Sequence, residues 1–242
     1  MTDPRNDTWL RERVGDPADD LYFAALFAHP RTRPGVTAAA ALYVELEAIA
    51  TRFRDLNVAR TKLAWWREEL GRLDAGQPAH PVTRALADAS AATPVQPLLD
   101  LVTGMELILL EGPVTDIATA RMRAERGLGP FATALVAIVA PEEAAPGRFA
   151  RVGEAAGLAR GLGAPSDDDA RAERASAARS ALLESAALAR EAPPPLQVLV
   201  ALAWRRVRSG SAPDSGRRTT ALRVLTAWRA GRGRLPRRLR RA

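Results

Sequence analysis

The chain has 242 residues, 47% hydrophobic and 26% charged, enough to bury a core and too apolar to stay unfolded. It has no cysteine and only two histidines, His29 and His80, which excludes disulfides, thiolate nucleophiles and Cys- or His-rich metal sites. The formal net charge is +7, but residues 217–242 hold ten arginines and no acid; the first 216 residues carry 25 bases against 28 acids, so the basic character belongs to the end of the chain.

Fifty alanines, with leucine and arginine next, favour helix nearly throughout, and no stretch alternates at period two. Residues 1–15 read as an N-terminal extension. A short apolar segment from Asp20 to Ala28 is followed by a Pro/Arg turn over His29–Gly35. Val36, Ala39, Tyr43, Leu46, Ala50 and Phe53 then recur at steps of three and four, the stripe of a core-facing helix. After a break near Leu56–Asn57 the rhythm resumes with Ala59, Leu63, Trp66, Leu70 and Leu73. Further breaks fall at Gly76–Pro81, Thr93–Pro97, Gly112–Val114, Pro141–Gly147, Ala164–Ser166, Pro193–Pro195 and Gly210–Gly216. Gly153, Gly157 and Gly161 make a flat ridge for close helix packing. Asp167, Asp168 and Asp169 follow Pro165 and read as a helix N-terminus, with Ser166 or Asp167 as the cap, rather than as a metal site. Thr219–Arg229 forms a helix with Leu222, Leu225 and Trp228 on one face, and residues 231–242 read as a mobile cationic tail. The expected fold is all-α: a single bundle of nine or ten helices over residues 16–230.

Three stretches resemble the squalene/phytoene synthase family. The first is Asp20-Leu-Tyr-Phe-Ala-Ala-Leu-Phe-Ala28 with the later Ala-Ala-Leu-Tyr43. The second, the most specific, is Ala59-Arg-Thr-Lys-Leu-Ala-Trp-Trp-Arg-Glu-Glu-Leu70, continuing through Ala79-His-Pro81 into Val82-Thr-Arg-Ala-Leu-Ala87. The third is Leu98-Leu-Asp-Leu-Val-Thr-Gly-Met-Glu106. The likeness covers residues 16–135 and continues more weakly to 210. It implies an isoprenoid-synthase-like fold and, in active members, head-to-head joining of two prenyl diphosphates. That chemistry needs Mg²⁺ on Asp clusters of facing helices, to neutralise the leaving diphosphate.

The sequence departs from the family at those clusters. Anchored on Leu42-Tyr43, the first Asp-rich positions fall on Ala50, Thr51 and Arg54. The second segment falls in Val152–Ala164, where the acid is Glu154, and the Asp expected after Glu106 is matched by Ile108. Glu45 and Glu47 point roughly 200° apart on a helix and do not share a metal. Glu68 and Glu69 flank the Trp pair without a third acid at helical spacing. The expectation is therefore a degenerate member that lacks the Asp-rich motifs and acts as an isoprenoid- or lipid-binding or accessory factor, without a cofactor. The family includes such branches, one of them mitochondrial and linked to respiratory complex I assembly. The alternative is an active, Mg²⁺-dependent prenyl diphosphate transferase with atypical ligands.

Tyr43, Glu47, Arg54, Arg67 and Glu106 are the candidate positions for a prenyl diphosphate or lipid ligand. Guanidinium groups hold phosphate without a metal; the plainer role for Arg54, Lys62 and Arg67 is ion pairing with Glu47, Asp55 and Glu69. Trp66 belongs to the core, Trp65 packs beside it, and His80 positions the helix that follows Pro81. In the tail, Arg237, Arg238, Arg240 and Arg241 are the candidate contacts to an anionic membrane or a protein partner. No aromatic residues interleave them, so no specific nucleic acid is expected. No apolar run approaches the roughly 20 residues of a membrane span. The expected location is the cytoplasm, with a peripheral contact to the inner face of the membrane.

Overall fold

The computed structural model describes residues 4–15, 19–53, 55–89, 95–143, 145, 147–163, 167–209 and 217–241. Along them run helices α1 (Pro4–Val14), α2 (Asp20–Leu26), α3 (Arg33–Arg52), α4 (Leu56–Asp74), α5 (Pro81–Ala89), α6 (Val95–Glu111), α7 (Ile117–Arg126) and α8 (Leu128–Val139). Then come α9 (Ala150–Arg160), α10 (Asp168–Glu184), α11 (Ala186–Glu191), α12 (Pro194–Ser209), α13 (Arg217–Ala230) and α14 (Arg237–Arg241), with 3-10 turns at Pro141–Glu143 and Gly161–Gly163. The all-α expectation holds, and no strand occurs among the described residues. The segments outnumber the nine or ten expected. Gly127 breaks what reads as one helix into α7 and α8, Ser185 separates α10 from α11, and both chain ends add helices.

Each long helix follows from local sequence. Pro34 sits in the first turn of α3, where its missing N–H costs nothing. Asp55 caps α4, its carboxylate accepting the amides of Asn57 (2.8 Å) and Val58 (3.3 Å). The predicted stripes are buried: Val36, Ala39, Tyr43, Leu46 and Ala50 on α3, and Ala59, Leu63, Trp66, Leu70 and Leu73 on α4. Phe53, the last residue of the α3 stripe, lies beyond the helix end and is exposed. Asp167 caps α10 through the Ala170 amide at 2.7 Å, as the acidic run predicts.

Helix α3 packs against α1, α2, α5, α6 and α8, and α9 against α7, α8, α10 and α12. Glycine makes the α9 contacts possible. A Cβ at Gly153 would collide with the Leu128 carbonyl and Ala132, and one at Gly157 would crowd Ala124. Gly161, the third of the predicted ridge, faces open space. Gly104 on α6 meets the Arg126 carbonyl in the same way as Gly153 meets Leu128.

Both chain ends are folded onto this body. Leu10 and Val14 of α1 are buried against α3 and α5. The tail expected to be mobile instead folds back, because Leu235 and Leu239 find cover that the sequence around them does not supply. Both are buried, α14 packs on α11, and Arg190 donates to the carbonyls of Leu239 (3.5 Å) and Arg240 (3.1 Å). The side chains of Arg237, Arg238 and Arg240 stay exposed. Farther in, buried Asp20 joins three helices, pairing with Arg206 of α12 (3.0 Å) and Arg223 of α13 (2.9 Å). Among the described residues, no helix is long and apolar enough to cross a membrane.

Candidate functional site

The Trp-Trp-Arg and His-Pro segments meet around one carboxylate. Glu69 is fully buried on α4. Its Oε1 accepts the amides of Ala79 and His80, both at 2.8 Å, and the Thr83 hydroxyl; Oε2 accepts from Arg72 at 2.7 Å. Burial alone would raise its pKa, but the bonds from Thr83, His80, Arg72 and Ala79 outweigh it and hold the carboxyl down at about 2. Glu69 thereby fixes the loop that starts α5. His80 completes the turn, its Nδ1 accepting the Val82 amide at 3.2 Å. Burial, with Arg13 and Arg84 nearby, lowers the His80 pKa against the pull of Glu69 and favours the neutral ring that this bond requires. The ring sits edge-on to Trp9 (5.2 Å), Trp65 (5.7 Å) and Trp66 (4.7 Å). Trp66 is core, while Trp65 is 40% exposed and set edge-on to it. This cluster shapes a helix start.

A second cluster joins α2, α3 and α9. Arg160 ends α9 and points both terminal guanidinium nitrogens at Asp19, Nη1 to Oδ1 at 2.6 Å and Nη2 to Oδ2 at 2.8 Å. Nη2 also reaches Glu47 Oε2 at 2.9 Å. Asp19 is at the same time the N-cap of α2, accepting the Leu21 amide at 2.9 Å. Buried Tyr43, one turn before Glu47, donates its hydroxyl to Glu47 Oε1 at 3.2 Å and lies beneath the Arg160 guanidinium, 5.7 Å from the ring centre. Gly127 leaves room for that hydroxyl, since a Cβ there would sit 3.2 Å from it. Burial would discharge Arg160, but Glu47 and Asp19 hold it firmly protonated. Burial likewise works against ionised Asp19, yet Arg160 wins and lowers its pKa. For Tyr43, burial and the Glu47 charge act together, so the phenol stays protonated and remains a donor. Arg123 adds a second cation near Glu47 and Tyr43, donating to the Gly112 carbonyl while its buried Nε makes no hydrogen bond.

The predicted residues thus separate into two groups. Tyr43 and Glu47 share one network; Arg67 and Glu106 form an ion pair at 2.7 Å across α4 and α6, with Thr103 at 3.3 Å from the same guanidinium. Arg67 therefore does not pair with the partners expected for it, and Lys62 lies over the Phe53 ring at 5.1 Å. Arg54 and the Arg241 side chain lie outside the described residues. Glu154, the acid of the α9 segment, sits six residues before Arg160, about 120° around the helix. It packs over Gly129, and its pKa is raised by burial and by Glu125. Sequence reasoning missed Asp19, Arg160 and Arg123. Their signal was positional: Arg160 lies inside the segment where the family pattern calls for acids.

These residues do not fit Mg²⁺. The metal wants several carboxylate oxygens free to face it, yet Arg160 engages both carboxylates, and no three of His, Asp and Glu come together among the described residues. What the arrangement does is tie the start of α2 and the middle of α3 to the end of α9 through a cation that belongs to the protein.

Neither the curated proteins nor the solved structures gave a significant match. The profile of squalene/phytoene synthase does match, over residues 15–164. That span opens just before Asp19, takes in both carboxylate clusters and the close contacts of Gly104 and Gly153, and closes just after Arg160; the chain belongs to the squalene/phytoene synthase family.

Proposed function

We propose that this protein is a non-catalytic member of its family, acting as an isoprenoid- or lipid-binding or accessory factor rather than as a prenyl diphosphate transferase. The observation that carries the reading is the Arg160 guanidinium held between Asp19 and Glu47. Arg160 lies within the second segment in which the family pattern calls for metal-binding acids, and it is paired with Glu47, three residues before the first of those positions on α3. A divalent ion would have to displace a bidentate guanidinium, and a diphosphate would have to compete with two carboxylates for it. Without a metal over the leaving group, ionisation of an allylic diphosphate loses the main source of its transition-state stabilisation.

The test has two parts. The protein is incubated with radiolabelled farnesyl or geranylgeranyl diphosphate and Mg²⁺, and apolar products are extracted; none are expected, and Mg²⁺-dependent formation of a head-to-head product would sink the reading. In parallel, thermal midpoints are followed while Mg²⁺ and a non-hydrolysable farnesyl diphosphate analogue are added. A wild-type midpoint insensitive to Mg²⁺, with an Arg160→Ala variant that Mg²⁺ stabilises, is the expected pattern. Equal Mg²⁺ stabilisation of both proteins would mean that Arg160 does not stand where a cation would.

A further inference from the structure

Helix α13 is turned inside out. Its inner side, toward α12 and α2, carries Arg223, Ala227 and Ala230, all buried, with Arg223 in the ion pair to Asp20 and its guanidinium over Phe23 at 5.1 Å. Its large apolar residues point the other way: Leu222, Val224, Leu225 and Trp228 are 47%, 39%, 42% and 38% exposed. At 100° per residue these four cover roughly 160° of the helix circumference, and among the residues of α13 whose side chains are described the charge on that arc is Arg229. A surface helix ordinarily presents the reverse arrangement, and a contiguous exposed apolar face marks an interaction surface.

Charge says what covers it. Residues 217–242 hold ten arginines and no acid. Arg229 and Arg232 are exposed at the end of the face, and the Arg232 guanidinium lies over the Trp228 ring at 4.2 Å. Leucines and a tryptophan bordered by cations are the composition of a helix lying in the boundary between the headgroups and acyl chains of an anionic bilayer. A second copy of the chain would bring the same positive ends together, so charge opposes self-association through this face.

We propose that α13 is a membrane-docking helix, placing Leu222, Val224, Leu225 and Trp228 into an anionic lipid surface while Arg223 and Asp20 hold its other side to the protein. The inference is independent of whether the body binds a prenyl ligand or catalyses a reaction.

Co-sedimentation of the full chain with vesicles of phosphatidylcholine, or of phosphatidylcholine mixed with phosphatidylglycerol, tests it. At least about tenfold tighter binding to the anionic vesicles is expected, with a loss of similar size in a Leu222→Ser/Leu225→Ser variant. Both substitutions are outward, and a thermal melt checks that the variant is folded. A reading that needs no apolar truncation is quenching of Trp228 by brominated lipid, taken as the difference between wild type and Trp228→Phe. Trp228 is expected to be quenched. Failure to bind anionic vesicles at low salt, binding undiminished in the folded double variant, or an unquenched Trp228 would each overturn the proposal. So would a wild-type dimer that the double variant dissolves, since the face would then belong to a second copy.

Discussion

Glu69 and the Asp19–Glu47 pair are two ways of holding carboxylates within one helical body. Glu69 is served by its neighbours in sequence: Arg72 one turn on, and Ala79, His80 and Thr83 in the loop and helix that follow. All four donors, two of them backbone amides, lie within 14 residues of it, so the price of burying the charge is met locally and no distant element need be in place. Asp19 and Glu47 share the Arg160 side chain, 141 and 113 residues away. The first arrangement defines a loop; the second defines how remote helices meet. Because one guanidinium bridges both carboxylates, a single substitution rewrites its chemistry.

The largest effect is expected at the first site. Glu69→Ala leaves two buried amides, a hydroxyl and a guanidinium without their acceptor, and unfolding in urea should show a loss of about 4 kcal/mol. Acid should reach the same bond network more gently. The folded pKa of Glu69 lies below its ordinary value of 4.5, at about 2. Its contribution is thus fully present above the unfolded pKa and lost as pH falls through the folded one. Wild type should lose about 3 kcal/mol of stability between roughly pH 5 and pH 2 from this group, and Glu69→Gln should flatten that part of the profile.

Arg160→Ala should cost about 2 kcal/mol, less because its side chain keeps contact with water. Here the comparison can be broken outright. A triple variant, Asp19→Asn/Glu47→Gln/Arg160→Met, removes all three charges of the ion bridge and should recover part of that stability, short of all of it because Arg123 beside position 47 keeps its charge. If the triple variant is no better than Arg160→Ala, the network is held by geometry that neutral groups do not reproduce. The smallest effect is expected for Arg67→Ala. Its bond to Glu106 lies at the surface, and the loss should stay within about 0.5 kcal/mol and shrink further in salt.

What the sequence disclosed follows the same division between near and far. The stripes of α3 and α4, the Asp167 cap and the close packing of Gly153 and Gly157 are all set within a turn or two of chain, and periodicity or a short motif reads them directly. The break at Gly127 has a local mark that the apolar stripe passes over, the run Gly127-Leu-Gly-Pro130; what the local sequence does not disclose is that the Tyr43 hydroxyl of another helix stands 3.2 Å from where a Cβ at Gly127 would be. The folded tail was hidden for a like reason: Leu235 and Leu239 are anchors only once α11 is beside them. Of the candidate site, Tyr43 and Glu47 were legible as positions on one helix face. Arg160 was not, because nothing in the local sequence of α9 indicates which carboxylates it will meet.

The ion pairs of Asp19 and Asp20 also order events during synthesis. Both aspartates leave the ribosome well ahead of these partners: Arg160 follows 141 positions after Asp19, and Arg223 comes 203 after Asp20. At about 5–20 residues per second, roughly 10–40 s pass before the last of these partners is translated. Until then α2 can rest on α3 but not on α13, and Asp20 keeps water in place of one of its partners. The surroundings of Asp20 are therefore completed late, and a nascent protein stopped short of α13 lacks one of the two arginines that hold Asp20 in place.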